Sequence, residues 1–423
     1  MEIALHNPGR KVALIGTCLF LCTAYLSFCT RGFLAEYFSN QPDLLSLERA
    51  VALQPTNASY WHVLGRYHLF VDQEPSAAIP MLRAAVKLNP HDADYWLDLS
   101  TAYQVLGEKQ SQMSAIQRAV AANPRSPDIA WQAANLYWAE GDGAKALGQF
   151  RIVAENDPYL VGAVLERCWR IQPDASLLLA NVLPRRADIY SVFLELLISK
   201  NQAAAAATIW TQLAELQAPV SRRYVFEYVH YLIDQKEVGQ ARRVWRDAAD
   251  LADLSGYQPS GDNFVVNNDF SMPVLNGGFD WLYQKMPGVT LAIDPVEAHS
   301  GPQSLLIDLD SSGMEDAGIR QLIPVEANTT YDFSAYFKSE NIEGAGGPRF
   351  LLQDAFSGTT YFTSDDLKDA DFWKETIGSF TTAADAKLVV LRVGRVPANN
   401  AIRGKLWIGG LRVAKHRSAA GVS

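Results

Sequence analysis

Four carboxylates crowd one short stretch, Asp365, Asp366, Asp369 and Asp371, and paired carboxylates are the machinery of glycoside hydrolysis, one as acid and its partner as base or nucleophile. That chemistry needs a set separation across a cleft, and a polar loop ahead of Phe372-Trp373 accounts for all four more simply. The histidines, at positions 6, 62, 68, 91, 230, 299 and 416, include no pair spaced three or four apart, so no histidine metal site is expected. His299 reads as a structural residue in a turn before a strand. Cys18, Cys22 and Cys29 fall in or beside an apolar run near the N-terminus, which leaves Cys168 as the single thiol beyond it. Neither a disulfide framework nor a cysteine zinc site can form from one thiol. No Walker loop, dinucleotide fingerprint or G-x-S-x-G turn occurs. These residues point to binding rather than turnover, so the chain is expected to be no enzyme.

The elements that would position a binding site follow from composition and period. With 423 residues, 48% of them hydrophobic and 20% charged, the chain has room for two or three folding units. Its net charge of −9 offers no basic excess to displace counterions from phosphates, and a nucleic-acid partner is excluded. Arg10 and Lys11 precede 17 uncharged residues, Val12 to Phe28, closed by Arg31. This is the layout of a membrane-targeting segment. Phe28 is bulky where a cleaved signal peptide or an acylated Cys29 would have a small residue, so an uncleaved anchor over 12–31 is preferred to either. By the positive-inside rule residues 1–11 stay cytoplasmic and the bulk of the chain lies beyond the inner membrane, periplasmic or extracellular. The low cysteine use fits a bacterial envelope protein.

Internal repetition dominates the first half. Pro55, Pro90, Pro124 and Pro158 recur at intervals of 35, 34 and 34 residues, each closing an apolar stretch. Between Pro124 and Pro158 the residues Ala134, Tyr137, Gly141, Ala146, Phe150 and Val153 describe two helices around a glycine turn. The unit before it repeats this with Tyr103, Gly107, Ile116 and Ala119, and the one before that with Trp61, Leu64, Gly65, Ala78, Leu82 and Ala85 plus one extra residue at its turn. The small–aromatic–small spacing persists at Ala206, Trp210, Leu213 and at Ala241, Trp245, Ala248, while 159–187 read as one degenerate helix pair. With its 34-residue period this region, taken as 42–254, resembles tetratricopeptide repeat proteins. The resemblance implies a protein partner held in a groove lined by the first helix of each unit. By position those residues are His62, Arg66, Leu97, Thr101, Gln104, Trp131, Asn135 and Trp138; the two tryptophans share a helical face and compete with a reading as internal packing.

After Leu254 turn residues at 255–262 read as a linker, and short strand-like runs follow: 264–267, 303–309, 318–325, 330–339, 349–353, 387–396 and 405–413. Tyr331, Phe333, Ala335 and Phe337 alternate with polar neighbours, the mark of a strand with one buried face. The ordered landmarks Asn267-Asn268-Asp269-Phe270, Gly278-Phe279-Asp280-Trp281, His299 to Leu305, Ile323-Pro324-Val325 and Gly404 to Ile408 look like those of galactose-binding-like jelly rolls and carbohydrate-binding modules. The expected architecture is therefore multidomain α + β: a transmembrane helix, an all-α solenoid, and an all-β jelly-roll sandwich over 263–415 with a tail at 416–423. The resemblance implies a glycan ligand, here a polysaccharide. Aromatic plates and fixed polar groups would come from Trp281, Tyr283, Tyr336, Gln353, Asp354 and Arg392, with Tyr336 and Arg392 projecting from one concave sheet. Relatives hold a structural calcium with an acid where this chain has Gly409 and Gly410, so no cofactor or metal is expected. The reading that follows is a membrane-anchored envelope protein whose repeats dock a protein and whose jelly roll binds a glycan or another protein, in surface-polysaccharide assembly or export. A pure spacer is the alternative and a polysaccharide hydrolase the third.

Overall fold

The computed structural model describes residues 8–396, 398 and 400–417. His6, most of the expected cytoplasmic terminus and most of the expected tail lie outside the described residues. The chain divides between Arg185 and Arg186 into two compact units.

The first unit is helical. Helix α1 is a single helix, Pro8–Ser39, of 32 residues. Among the described residues it is the one helix long and apolar enough to cross a membrane. It outlasts the expected span. Ala35 is buried against α2 (Leu44–Leu53), in a cluster with Leu47, Ala50, Val51, Tyr60 and Leu64, so the end of α1 serves as first helix of the first pair. Pairs follow as α3 (Ala58–Arg66) with α4 (Pro75–Leu88), α5 (Ala93–Leu106) with α6 (Lys109–Ala122), α7 (Pro127–Ala139) with α8 (Gly143–Asn156), and the short α9 (Val161–Ile171) with α10 (Ala175–Asn181).

Pro55, Pro90 and Pro124 each end a unit, and the cap of the next follows two residues on, whereas Pro158 opens a short 3-10 turn capped by Asp157. Asn57, Asp92 and Ser126 accept the backbone N–H groups of Ser59, Asp94 and Ile129, satisfying donors that a helix start leaves unpaired. Gly107 and Gly141 turn the chain between paired helices in the left-handed conformation, at φ 74° and 80°. The extra residue of the α3–α4 unit is absorbed by a π-helical turn, Tyr67–Val71, which explains its longer repeat. The ladder residues Ala78, Leu82, Ala85, Ile116, Ala119, Ala146, Phe150 and Val153 are all buried.

The second unit joins four more helices to the sandwich. They are α11 (Ala187–Ser199), α12 (Ala203–Glu215), α13 (Arg222–Asp234) and α14 (Val238–Leu251), with Trp210 and Trp245 buried at the ladder position. The stretch expected as a linker is a packed turn. Tyr257 is buried, its carbonyl accepts Trp245 Nε1–H at 2.9 Å and its hydroxyl donates to the Pro273 carbonyl at 2.8 Å. Gln258 donates to the carbonyls of Trp245 and Leu254. Turn-forming composition fixes backbone conformation there, but a buried aromatic decides whether the turn is free.

Among the described residues ten antiparallel strands form two sheets. They are β1 (Leu282–Tyr283), β2 (Val289–Asp294), β3 (Ser304–Gly313), β4 (Asp316–Pro324), β5 (Thr330–Gly344), β6 (Pro348–Asp354), β7 (Thr360–Thr363), β8 (Lys374–Thr381), β9 (Leu388–Arg395) and β10 (Ala401–Lys415). One sheet runs β1-β4-β9-β6-β7 and the other β2-β3-β10-β5-β8. Tyr331, Phe333, Ala335 and Phe337 point between them, against Phe350, Leu352, Leu391 and Val393. The fold class is thus a helical repeat region followed by a jelly-roll sandwich. The run 264–267 is no strand. The buried Gln321 amide bonds both the N–H and the carbonyl of Val266, doing with a side chain what a neighbouring strand would do.

The last helices and the sandwich meet at a short loop. Trp245 stacks on Phe226 with ring centres 6.0 Å apart and meets Phe279 edge-on at 5.8 Å. Gly277 lies beneath the Phe226 ring and Gly278, at φ 61°, beneath Trp245, where a Cβ would overlap the indole. Gly278→Ala is therefore expected to destabilise the second unit by more than about 2 kcal/mol. Asp280 in the same loop is fully buried; Oδ2 accepts the Leu275 N–H at 2.7 Å, and among the described residues Oδ1 has no hydrogen-bond partner. Burial pushes its pKa up to about 6 from an ordinary 3.8, against the pull of the Leu275 and Trp281 N–H groups and Asn267. A carboxyl whose folded pKa is raised binds its proton more tightly in the folded state, so its contribution to stability is lost as pH rises from about 4 to about 6. Above that the charge costs on the order of 3 kcal/mol. Asp280→Asn is expected to raise stability at pH 7 and to flatten its pH dependence between 4 and 7, as measured by urea unfolding across that range.

Candidate functional site

The register of the first sheet sets its outer face. Arg320 on β4 stands opposite Arg392 on β9, which in turn faces Leu351 on β6; in the next row Leu322, Val390 and Gln353 align. Helix α13 lies along this face and contributes Phe226, Val229 and Ile233 to a cleft of about 690 Å³. Lys387 Nζ donates to the carbonyl of Lys236, just past the end of α13, and Lys236 sits over the Phe356 ring at 5.5 Å, fastening helix to sandwich.

The polar groups on the floor are held before any ligand arrives. Arg392 Nη1 pairs with Asp316 Oδ2 at 2.5 Å and its Nε donates to Gln353 Oε1 at 2.8 Å. Gln353 Nε2 donates onward to Thr360 Oγ1 at 2.8 Å. Arg320 is exposed, and among the described residues no acid pairs with it. Tyr283 stands at the rim, 51% exposed, with its N–H held by Asn276 Oδ1 at 2.9 Å. Asp354 shapes the β6–β7 turn. Burial raises its pKa, but the Ser357 and Phe356 N–H groups and the Tyr361 hydroxyl outweigh that and hold it below the ordinary value.

Of the six glycan candidates, then, Tyr283, Gln353, Asp354 and Arg392 converge on one cleft. Trp281 does not join them: it is 1% exposed, stacks on Phe270 at 5.1 Å and donates its Nε1–H to the Asn267 carbonyl. Tyr336 is on β5 and so belongs to the other sheet, where it stacks on His299 at 3.7 Å. The expectation that Tyr336 and Arg392 share a concave sheet is corrected, because alternation fixes the face of a strand and not the sheet it joins. Sequence reasoning missed Asp316, Arg320 and the three apolar residues of α13. Nothing local marks a partner 76 positions away. Of the crowded carboxylates, Asp366 pairs with Arg349 at 2.7 Å. Among the described residues no group of three His, Cys, Asp or Glu is placed to hold a metal ion.

In the first unit a smaller polar cleft of about 320 Å³ brings Thr101, Gln104 and Asn135 together with Lys109, Gln112 and Glu140. The other groove candidates are engaged elsewhere. His62 Nε2 and Arg66 Nη1 both meet Asp98 Oδ2, at 2.7 and 3.1 Å, tying α3 to α5. Asn135 accepts Arg167 Nε–H at 3.0 Å and ties α7 to α9. Leu97 packs on the Ile116 cluster, as does Trp138, which lies over Gly143; Trp131 meets Phe150 edge-on at 5.7 Å.

Solved structures similar to parts of this chain fall into two kinds. A carbohydrate-binding module, CBM4, is 16% identical over 36% of this chain and 99% of its own, with a TM-score of 0.28. The CBM22-1 xylan-binding domain of Xyn10C from Paenibacillus barcinonensis is 18% identical over 38% of this chain and 99% of its own, with a TM-score of 0.26. MamA is 20% identical over 41% of this chain and 85% of its own, with a TM-score of 0.24. No family model matches the chain and no curated relative does.

Burial separates the two neighbouring aromatics of the loop into β1. Trp281→Ala should cost about 3–5 kcal/mol, whereas Tyr283→Ala should change stability by less than about 0.5 kcal/mol, in denaturant unfolding of the two variants side by side.

Proposed function

We propose that this chain is a non-enzymatic, single-pass inner-membrane protein with its bulk outside the cytoplasm, whose helical array docks a protein and whose α13–sheet cleft holds a glycan, in surface-polysaccharide assembly or export. The observation that carries the glycan reading is the pairing within one cleft of an apolar wall with a prefixed polar floor. Sugar rings present apolar C–H faces and hydroxyl edges, and such a ligand needs both. Phe226, Ile233 and Tyr283 supply the first; the chain Asp316–Arg392–Gln353–Thr360 supplies donors and acceptors that are already oriented before binding. The polar cleft of the first unit supports the docking half by gathering Thr101 and Gln104 of α5 with Asn135 of α7, polar residues on the first helices of two successive pairs. The membrane assignment rests on α1 and its basic flank at Arg10 and Lys11.

Calorimetric titration of the detergent-solubilised full chain with envelope oligosaccharides tests the glycan reading. Saturable binding is expected, weakened about tenfold or more by Tyr283→Ala and by Arg392→Met, the loss of one charged hydrogen bond being worth about that factor. Binding untouched by both variants would remove the glycan from this cleft, and no binding across a broad panel would favour a spacer. External protease added to spheroplasts should degrade the chain, and protection would overturn the topology.

A further inference from the structure

A second cleft in the same unit, about 350 Å³, opens beside α14 and is lined by Arg242, Arg243 and Arg246 with Pro259, Phe264 and Pro324 at its flanks. Arg242 and Arg246 are one helical turn apart and so lie on the same side of α14, where like charges repel. Among the described residues none of the three has an ion-pair partner, and neither Asp nor Glu lines the cleft. This is unusual in a chain of net charge −9, whose acids are numerous enough to neutralise such a cluster. The arginines are therefore three planar donor sets, unspent and gathered at one concavity, the arrangement that carboxylates and other oxyanions fit best. Leu322 of β4 lines this cleft and the α13 cleft alike, so a chain seated in one lies a single side chain away from the other.

We propose that the arginine cleft of α14 binds acidic substituents of a glycan, so that the ligand of this unit is a carboxylate-bearing polysaccharide. The inference rests on the glycan reading of the α13 cleft and names the class of its ligand. Pro259, Pro324 and Phe264 are stiff, apolar surfaces suited to the faces of sugar rings, and the guanidinium groups take the carboxylates at their edges. A flexible acidic peptide or a lipid headgroup would use the same charges, and the test separates the lipid source directly.

The probe is an oligogalacturonate, compared with its methyl ester, which keeps the ring and removes the charge. Both are titrated into the detergent-solubilised full chain at low and high salt. The acid form is expected to bind at least about tenfold more tightly than the ester at low salt, with the advantage shrinking as salt rises. Arg242→Gln with Arg246→Gln should abolish that advantage without loss of folded signal by circular dichroism, both side chains being exposed. Tyr283→Ala should weaken acid and ester by the same factor and leave their ratio unchanged. Equal affinity for the two forms, or a ratio that survives the arginine substitutions, would overturn the acid preference while leaving the glycan reading intact. Failure of both forms to bind would overturn both. Arginine-dependent binding of phosphatidylglycerol micelles in place of the acid oligomer would assign the cleft to a lipid headgroup and sink the proposal.

Discussion

The second unit depends on one indole. Trp245 is the ladder residue of the last helix pair, yet it meets Phe226, Phe279, the turn carbonyl of Tyr257 and the backbone of Gly278 at once. An aromatic that would ordinarily fill the space inside a helix pair thereby fastens that pair to the sandwich. The fit is possible only because Gly277 and Gly278 present bare backbone to the two rings. This contact holds α13 and α14 against the loop before β1, and the Lys387–Lys236 hydrogen bond with Lys236 over Phe356 adds a second attachment at the far end of α13. The buried carboxyl of Asp280 is placed in the same loop and is tolerated there at a cost, the sort of local strain that a well-packed surround can hold in place.

The first unit solves a different problem, that of stacking similar pairs in register. Apolar ladders hold each pair, but small and aliphatic side chains slide easily, and directional contacts between successive first helices fix the step. Asp98 receives both His62 and Arg66, and Asn135 receives Arg167. These polar residues stand where a groove would be lined, and the structure spends several of them internally. The polar cleft around Thr101 and Gln104 is therefore narrower than the groove that the repeat pattern alone suggests.

Much of this was legible in the residues. A 34-residue proline period with small and bulky residues in fixed places is the pattern of paired helices, and the predicted ladder is buried apart from Trp61, which is half-buried. Alternation at 331–337 correctly marked a strand. The strands that the pattern does not mark, β1, β2, β7 and β8, are the edge strands of the two sheets, where exposure of residues such as Ile377 erases the two-sided pattern. The site was half legible: side-chain chemistry picked out Tyr283, Gln353 and Arg392, but a buried plug such as Trp281 and an exposed plate have the same letter in a sequence. The wall provided by α13 and the partnership of Arg392 with Asp316 are facts of tertiary folding, carried by no neighbouring residue.

The strand order of the second sheet carries a further consequence. β10 is the latest of the ten strands in the chain, and it fills the centre of its sheet, bonded on one side to β3 and on the other to β5. Until it arrives, those two strands have no neighbour to complete the sheet between them, and the interior residues Leu406, Ile408, Leu411 and Val413 are missing from the core. During synthesis the helical repeats, built from contacts near in sequence, can condense as they emerge, whereas the sandwich must wait with open strand edges for a segment made almost a hundred residues after β3. The second sheet therefore stays open between β3 and β5 until β10 pairs with both. A ribosome that stalls within that strand would release a chain with finished repeats and an unfinished, adhesive sheet.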